Sequence, residues 1–192
     1  MQTNAGVIPA SLCHSRPTAL QPSAAAPVAA MSGTDEPKFD PTQSSTWVNY
    51  VRVMNHVVQK GIQAGGVVGL GAVVPAVAYR QHKKGVGWQE SLPALATAVC
   101  KTTLVTLALS VALGVGRLAS IEDLKAGLED RAYRLHYNQG QNRADLFAQV
   151  GIAAGGAAAV AFLPATAAVV MGSAAAGAAA GVLVHVATRR ED

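Results

Sequence analysis

From Val150 to Ala187 the chain carries no Asp, Glu, Lys or Arg, and this apolar run limits what it can fold into more than any other feature. The run is close to twice the roughly 20 residues that one helical membrane crossing needs. Pro164 interrupts it about a third of the way along. One straight helix would overshoot the bilayer, so the economical arrangement is a hairpin turning around Leu163 to Thr166, with crossings at about 147–163 and 166–187. The first arm is short and either borrows length from the polar residues before it or sits where the bilayer thins.

Two earlier segments have the same character. Residues 61–79 hold no charge and only Gln63 as a strongly polar side chain; at 1.5 Å per residue they just cover a hydrocarbon core of about 30 Å. Pro75 is placed to kink their far end. Residues 92–116 form a longer segment interrupted by Lys101. The spacing therefore predicts an all-α integral membrane bundle of four short crossings over residues 61–187, with a polar, helical loop at 117–146.

Composition agrees. Apolar residues make up 51% of the chain and charged residues 14%, yet aromatics only 5%, with a mean hydropathy of +0.28. A soluble core built from Ala, Val and Gly would gain little at roughly 25 cal/mol per Å². Helices in lipid associate instead through close backbone approach, which small residues permit. The formal charge of +4 does not point to nucleic acid, because the bases flank apolar segments and form no stripe interleaved with aromatics. Bases at lipid headgroups account for them.

The small residues fall at a four-residue period: Gly61, Gly65 and Gly69; Ala94, Ala98, Thr102, Thr106, Ser110 and Gly114; Gly151 and Gly155; Ser173, Gly177 and Gly181. Residues four apart share a helix face, so each segment is expected to present a flat groove and the second an unbroken ridge. Chance spacing in an Ala/Gly-rich chain is the alternative, and it fits the last segment better than the glycines set among valines.

Outside the crossings, residues 1–43 are rich in Ala, Pro, Ser and Thr, with Arg16 the only charge before Asp35; they read as an organellar targeting segment or a disordered tail. Ser44, Ser45 and Thr46 can cap a helix starting near Trp47, giving an amphipathic lead-in over 44–60. Within the long loop, Ser120-Ile121-Glu122-Asp123 approximates a capping box. Ile121, Leu124, Leu128, Ala132 and Leu135 mark one face of the helix that follows, and Asn138 to Asn142 ends it. Its Glu129, Asp130, Arg131 and Arg134 are candidates for docking a partner, or are ordinary solvated charges.

Lys101 is the candidate intramembrane charge. An ionisable group inside a crossing is costly and points to function by default; a lysine that snorkels to the interface is the plainer reading. Nothing suggests catalysis. The carboxylates lie on a solvated helix, His56, His82, His136 and His185 lack ligand spacing, and no phosphate loop or nucleophile arrangement occurs. Cys13 and Cys100 indicate neither a disulfide framework nor a metal site. No cofactor is expected.

Gly61-x3-Gly65-Gly66-x2-Gly69, Arg80-Gln81-His82-Lys83-Lys84, Arg143-Ala144-Asp145, Gly151-x3-Gly155 and Gly172-Ser173-Ala174 with Gly177 together resemble the four-helix superfamily of mitochondrial protein-import translocases, the preprotein and amino acid transporters, over about residues 55–187. The resemblance implies a mitochondrial inner-membrane protein with its short basic loop in the matrix. It implies one of two roles: a non-catalytic subunit of a large membrane complex such as respiratory complex I, or a translocase component moving polypeptide or small solutes. A plastid membrane protein of the same architecture is a further alternative. The expected partners are other membrane subunits and the bilayer.

Overall fold

The computed structural model describes residues 39–189, and among them every regular element is helical. Residues 1–38, and with them most of the expected tail and Cys13, lie outside the described residues. Residues 39–43, assigned to the tail from sequence, are instead part of the fold. Pro41–Gln43 forms a short 3-10 turn, and the Pro41 carbonyl accepts from the buried Asn49 side chain at 3.0 Å. Asp40 caps this turn, and the hydrogen bonds from the Thr42 hydroxyl and amide hold its carboxyl below the usual range.

Helix α1 (Thr46–Val68) starts behind Ser45, whose hydroxyl accepts from the Val48 amide. It runs through a π turn at Gly69–Val73 into α2 (Val74–Lys83). The separate lead-in expected at 44–60 is therefore the first part of one continuous rod, because nothing between Val57 and Ile62 stops a helix except Gly61, at a cost of about 1 kcal/mol. The kink expected at Pro75 takes the form of that π turn. Proline has no N–H to offer the preceding turn and its ring crowds it; widening the turn just before Pro75 relieves both. Gly85, at φ 72°, ends α2 in a left-handed turn that residues with a Cβ enter at a cost.

Helix α3 (Trp88–Ala119) returns through the membrane. The expected capping box after it is resolved differently. Ser120 closes α3 by donating to the Arg117 carbonyl, and Asp123 caps α4 (Leu124–Tyr137) by accepting from the Ala126 amide at 3.1 Å. Leu128 and Ala132 bury their side chains, and Leu128 packs with Val53 and Leu118 in a small extramembrane core that includes Tyr50, Met54, Ile121 and Leu135. The amphipathic face thus folds back on its own chain. The break expected over Asn138 to Asn142 shrinks to Asn138 alone, because its side chain accepts from the Gln141 amide and restarts the helix at once. Helix α5 (Gln139–Phe162) accordingly begins well before 147, and its 24 residues give a rod of about 36 Å. The turn at 163–166 falls where Pro164 predicts it, and Thr166 caps α6 (Ala167–Ala187).

Four helical rods, Thr46–Lys83, α3, α5 and α6, are long and apolar enough to cross a membrane; this is an all-α, multi-pass membrane protein. Helix α6 is the hub, packing on α5, α3 and α1. Residues Gly172 to Gly181 of α6 are all Gly, Ala or Ser, so three neighbours can reach its backbone, while Met171, Leu183, Val184 and Val186 stay exposed, as suits a membrane span.

Candidate functional site

Many of the glycines lie where helices touch. A Cβ on Gly65 would strike Thr103 and Thr106, and one on Gly61 would meet Leu107 Cα at 2.9 Å and Ser110 Cβ at 3.1 Å. Gly69 faces Val99, and Gly114 faces Val57. Between α5 and α6, Gly151 opposes Gly177, Gly155 opposes the Ser173 carbonyl, and Gly181 opposes that of Phe147. Two close contacts lie off the four-residue register: Gly66 against the Ala175 carbonyl and Gly172 against that of Ala96.

The ridge on α3 does not stay on one face. Thr106, Ser110 and Gly114 meet α1, and Thr106 donates at 3.0 Å to the Gly61 carbonyl. Ala94 and Ala98 line a groove on another side. At 3.6 residues per turn a four-residue step drifts by about 40°, so five such steps carry the row roughly halfway round the helix. Thr102, midway, bonds its own helix at the Ala98 carbonyl, and Thr103 takes the place beside Gly65.

The residues with most chemical content were not picked out by spacing. On α1, His56, Lys60 and Gln63 follow one another at i+4 and i+3, which puts them on one face. They converge on Asp145 of α5. Lys60 Nζ lies 2.7 Å from Asp145 Oδ1 and donates also to Gln63 Oε1 at 2.8 Å; Gln63 Nε2 donates to the same Asp145 oxygen at 2.9 Å. His56 Nδ1 lies 3.4 Å from the other, Oδ2. Asp145 and Gln63 are buried, while Lys60 and His56 reach partly into solvent. The ring is thus a satisfied charge pair joining two helices whose main contacts are with other partners, at the end of the bundle that carries α4. A polar cleft of roughly 330 Å³ opens beside it, lined by Arg52, Asn55, Gln59 and His136 among others. One signal was available in the sequence: Asp145 is the lone carboxylate between Asp130 and Glu191.

Lys101 is different. It lies inside α3, not at a helix end, is exposed, and makes no ion pair among the described residues. Gly172 fits against Ala96 and Cys100, so Lys101 stands at least five residues, roughly 8 Å, inside the start of α6. It borders an open groove with Ala94, Thr97 and Ala98 on α3 and with Pro164, Thr166 and Val169 of the hairpin. Cys100 is buried and unpaired. On α4, Arg134 pairs with Asp130 at 3.0 Å; Glu129 and Arg131 are half-buried, with Lys125 Nζ 4.0 Å from Glu129.

Residues 48–189 match the model of a family described as a protein of unknown function, DUF1757. No curated protein and no solved structure matches the chain.

Proposed function

The chain belongs to the DUF1757 family, and for it we propose the role of a non-catalytic membrane subunit that packs sideways into a larger assembly. Lys101 carries the proposal. A lysine within a crossing costs several kcal/mol unless its charge is met, and the side chain faces out of the bundle. The neighbouring Ala94 and Ala98 let a further helix approach closely, and a carboxylate on that helix would neutralise the ammonium. The occupant of the groove is a transmembrane helix of another subunit.

Two hydroxyls of the second segment, those of Thr102 and Thr106, favour packing over conduction. Thr102 and Thr106 hydrogen-bond to main-chain carbonyls, which leaves them little capacity to line a wet path. The alternative of a translocase component therefore draws its support from the family resemblance and not from a particular polar route. We assign the assembly to the mitochondrial inner membrane, with a respiratory complex as its setting, on the acid-poor N-terminal segment and the same resemblance.

Native-gel complexome profiling of solubilised organelles tests the reading. The chain, of 19.5 kDa, is expected to migrate with a respiratory complex many times its mass. Co-migration with import machinery would favour the translocase role, and migration as a lone monomer would overturn both.

A further inference from the structure

Helix α3 carries a second pattern beside its four-residue row. Ala94, Ala98, Lys101, Val105, Ala108 and Ala112 follow one another in alternating steps of four and three, the 3.5-residue period of a seam between two helices. The opposite side of α3 packs inside the bundle, with Leu95, Val99 and Thr103 buried. The seam faces outward. Ala94 and Ala98 are half-buried in the groove they share with the hairpin, while Lys101, Ala108 and Ala112 are exposed, as is Val105 at 69%. From Ala94 to Ala112 the seam extends about 27 Å, most of a hydrocarbon core of roughly 30 Å.

Lys101 is the one charged position in it. A single polar residue in such a seam fixes register and oligomer state at a cost in stability, and the cost here is that of an ammonium within a span. An acidic group on a facing helix offsets it, so charge complementarity defines the chemistry of the occupant. The alanines to either side let that helix come close enough for the two charges to meet, and the large exposed side chains Leu104 and Leu109 stand on the two flanks.

The four spans of this chain do not contain the complement. Thr46–Lys83 and α6 hold no Asp or Glu, α3 holds only Glu90, and α5 only Asp145. Glu90 lies about 16 Å along the helix from Lys101, and Asp145 is already matched by Lys60. Two copies joined seam to seam about a twofold axis would set Lys101 against Lys101. A second copy is therefore not the occupant.

We infer that the outer seam of α3 pairs with one transmembrane helix of a different polypeptide, whose carboxylate meets Lys101 roughly 8 Å inside the start of α6 and sets the register of the two helices. Such pairing rests on the subunit role proposed above and adds to it the partner's chemistry, the depth of its acid and the exclusion of self-pairing.

Photo-crosslinking in the protein's own membranes tests it, with a benzophenone amino acid placed in turn at Leu104, at Leu109 and, as a control on α5, at the exposed Val160. Mass spectrometry of the adducts is expected to return the same transmembrane peptide from both flanks of the seam, with an Asp or Glu in its apolar stretch, and not from Val160. Lys101→Glu is expected to deplete the complex on native gels roughly tenfold or more, and a lysine in place of the partner's acid to restore it. Adducts with this chain alone, with lipid alone or with a helix lacking a carboxylate would overturn the pairing, as would a charge reversal that restores nothing. Those results leave the subunit role standing wherever the chain still migrates with a large complex; migration as a lone monomer removes both.

Discussion

Gly151 of α5 and Gly177 of α6 face each other so closely that a Cβ built on either would fall on the other's carbonyl oxygen. Neither helix can retreat alone, because Gly155 and Gly181 make equivalent contacts a turn away on either side. The hairpin is therefore held by backbone against backbone, where side chains as small as Ala already collide.

Gly177→Val is expected to separate α5 from α6 and lower the thermal midpoint of the detergent-solubilised protein, at a cost of about 3 kcal/mol or more, the upper range for overpacking a tight core. Gly71 and Gly116 are helical glycines with open space where a Cβ would go. Gly71→Ala and Gly116→Ala are expected to leave stability unchanged or raise it by about 0.5–1 kcal/mol through helix propensity. Equal loss in all three variants would show that glycine content, not position, matters.

The crossings and the hairpin were legible in the sequence because they depend on run length and on Pro164, both local properties. The faces were less so. A four-residue repeat predicts contact over two steps, as at Gly61, Gly65 and Gly69, but not over five, since helical drift carries Ala94 and Gly114 to different sides. Gly66 and Gly172 escape the repeat because α6 has three neighbours and needs more than one flat face. The Lys60–Asp145 pair was hidden for another reason: its members lie 85 positions apart, and no spacing rule reaches that far. Asp145 stood only within a motif of the resembled superfamily, as the acidic end of Arg143-Ala144-Asp145.

That pair sets the second prediction. Removing one partner of a fully buried ion pair costs about 3–5 kcal/mol, because the other charge is stranded. Lys60 is about a third exposed, so Lys60→Met is expected to cost less, about 2 kcal/mol. Asp145→Asn is expected to cost the same or slightly more, with His56 and Lys60 both left unmatched. The double variant should lose clearly less than the sum of the singles. A thermal-denaturation double-mutant cycle in detergent measures this; strict additivity would mean that the two groups do not interact.

Leu128 is wholly buried where α4 meets α1. Leu128→Ala is expected to destabilise that junction by about 2–5 kcal/mol while leaving the crossings in place. Limited proteolysis should then cut within residues 120–138 at lower protease, and the fragments should stay in the pellet after alkaline carbonate. Extraction of the chain by carbonate would show instead that α4 is needed for membrane integration.

Lys101→Leu separates what the lone protein needs from what an assembly needs. With no ion-pair partner in its own chain among the described residues, the lysine costs the isolated protein free energy and returns none, so its removal should raise the thermal midpoint in lipid nanodiscs by the equivalent of about 1 kcal/mol or more. The same change deletes the charge a partner's carboxylate would meet, and should shift the chain on native gels from the large complex toward the free form. Lys101→Arg keeps the charge and should keep the complex. A variant with leucine at 101 that still assembles fully would detach this residue from docking, whatever its effect on stability.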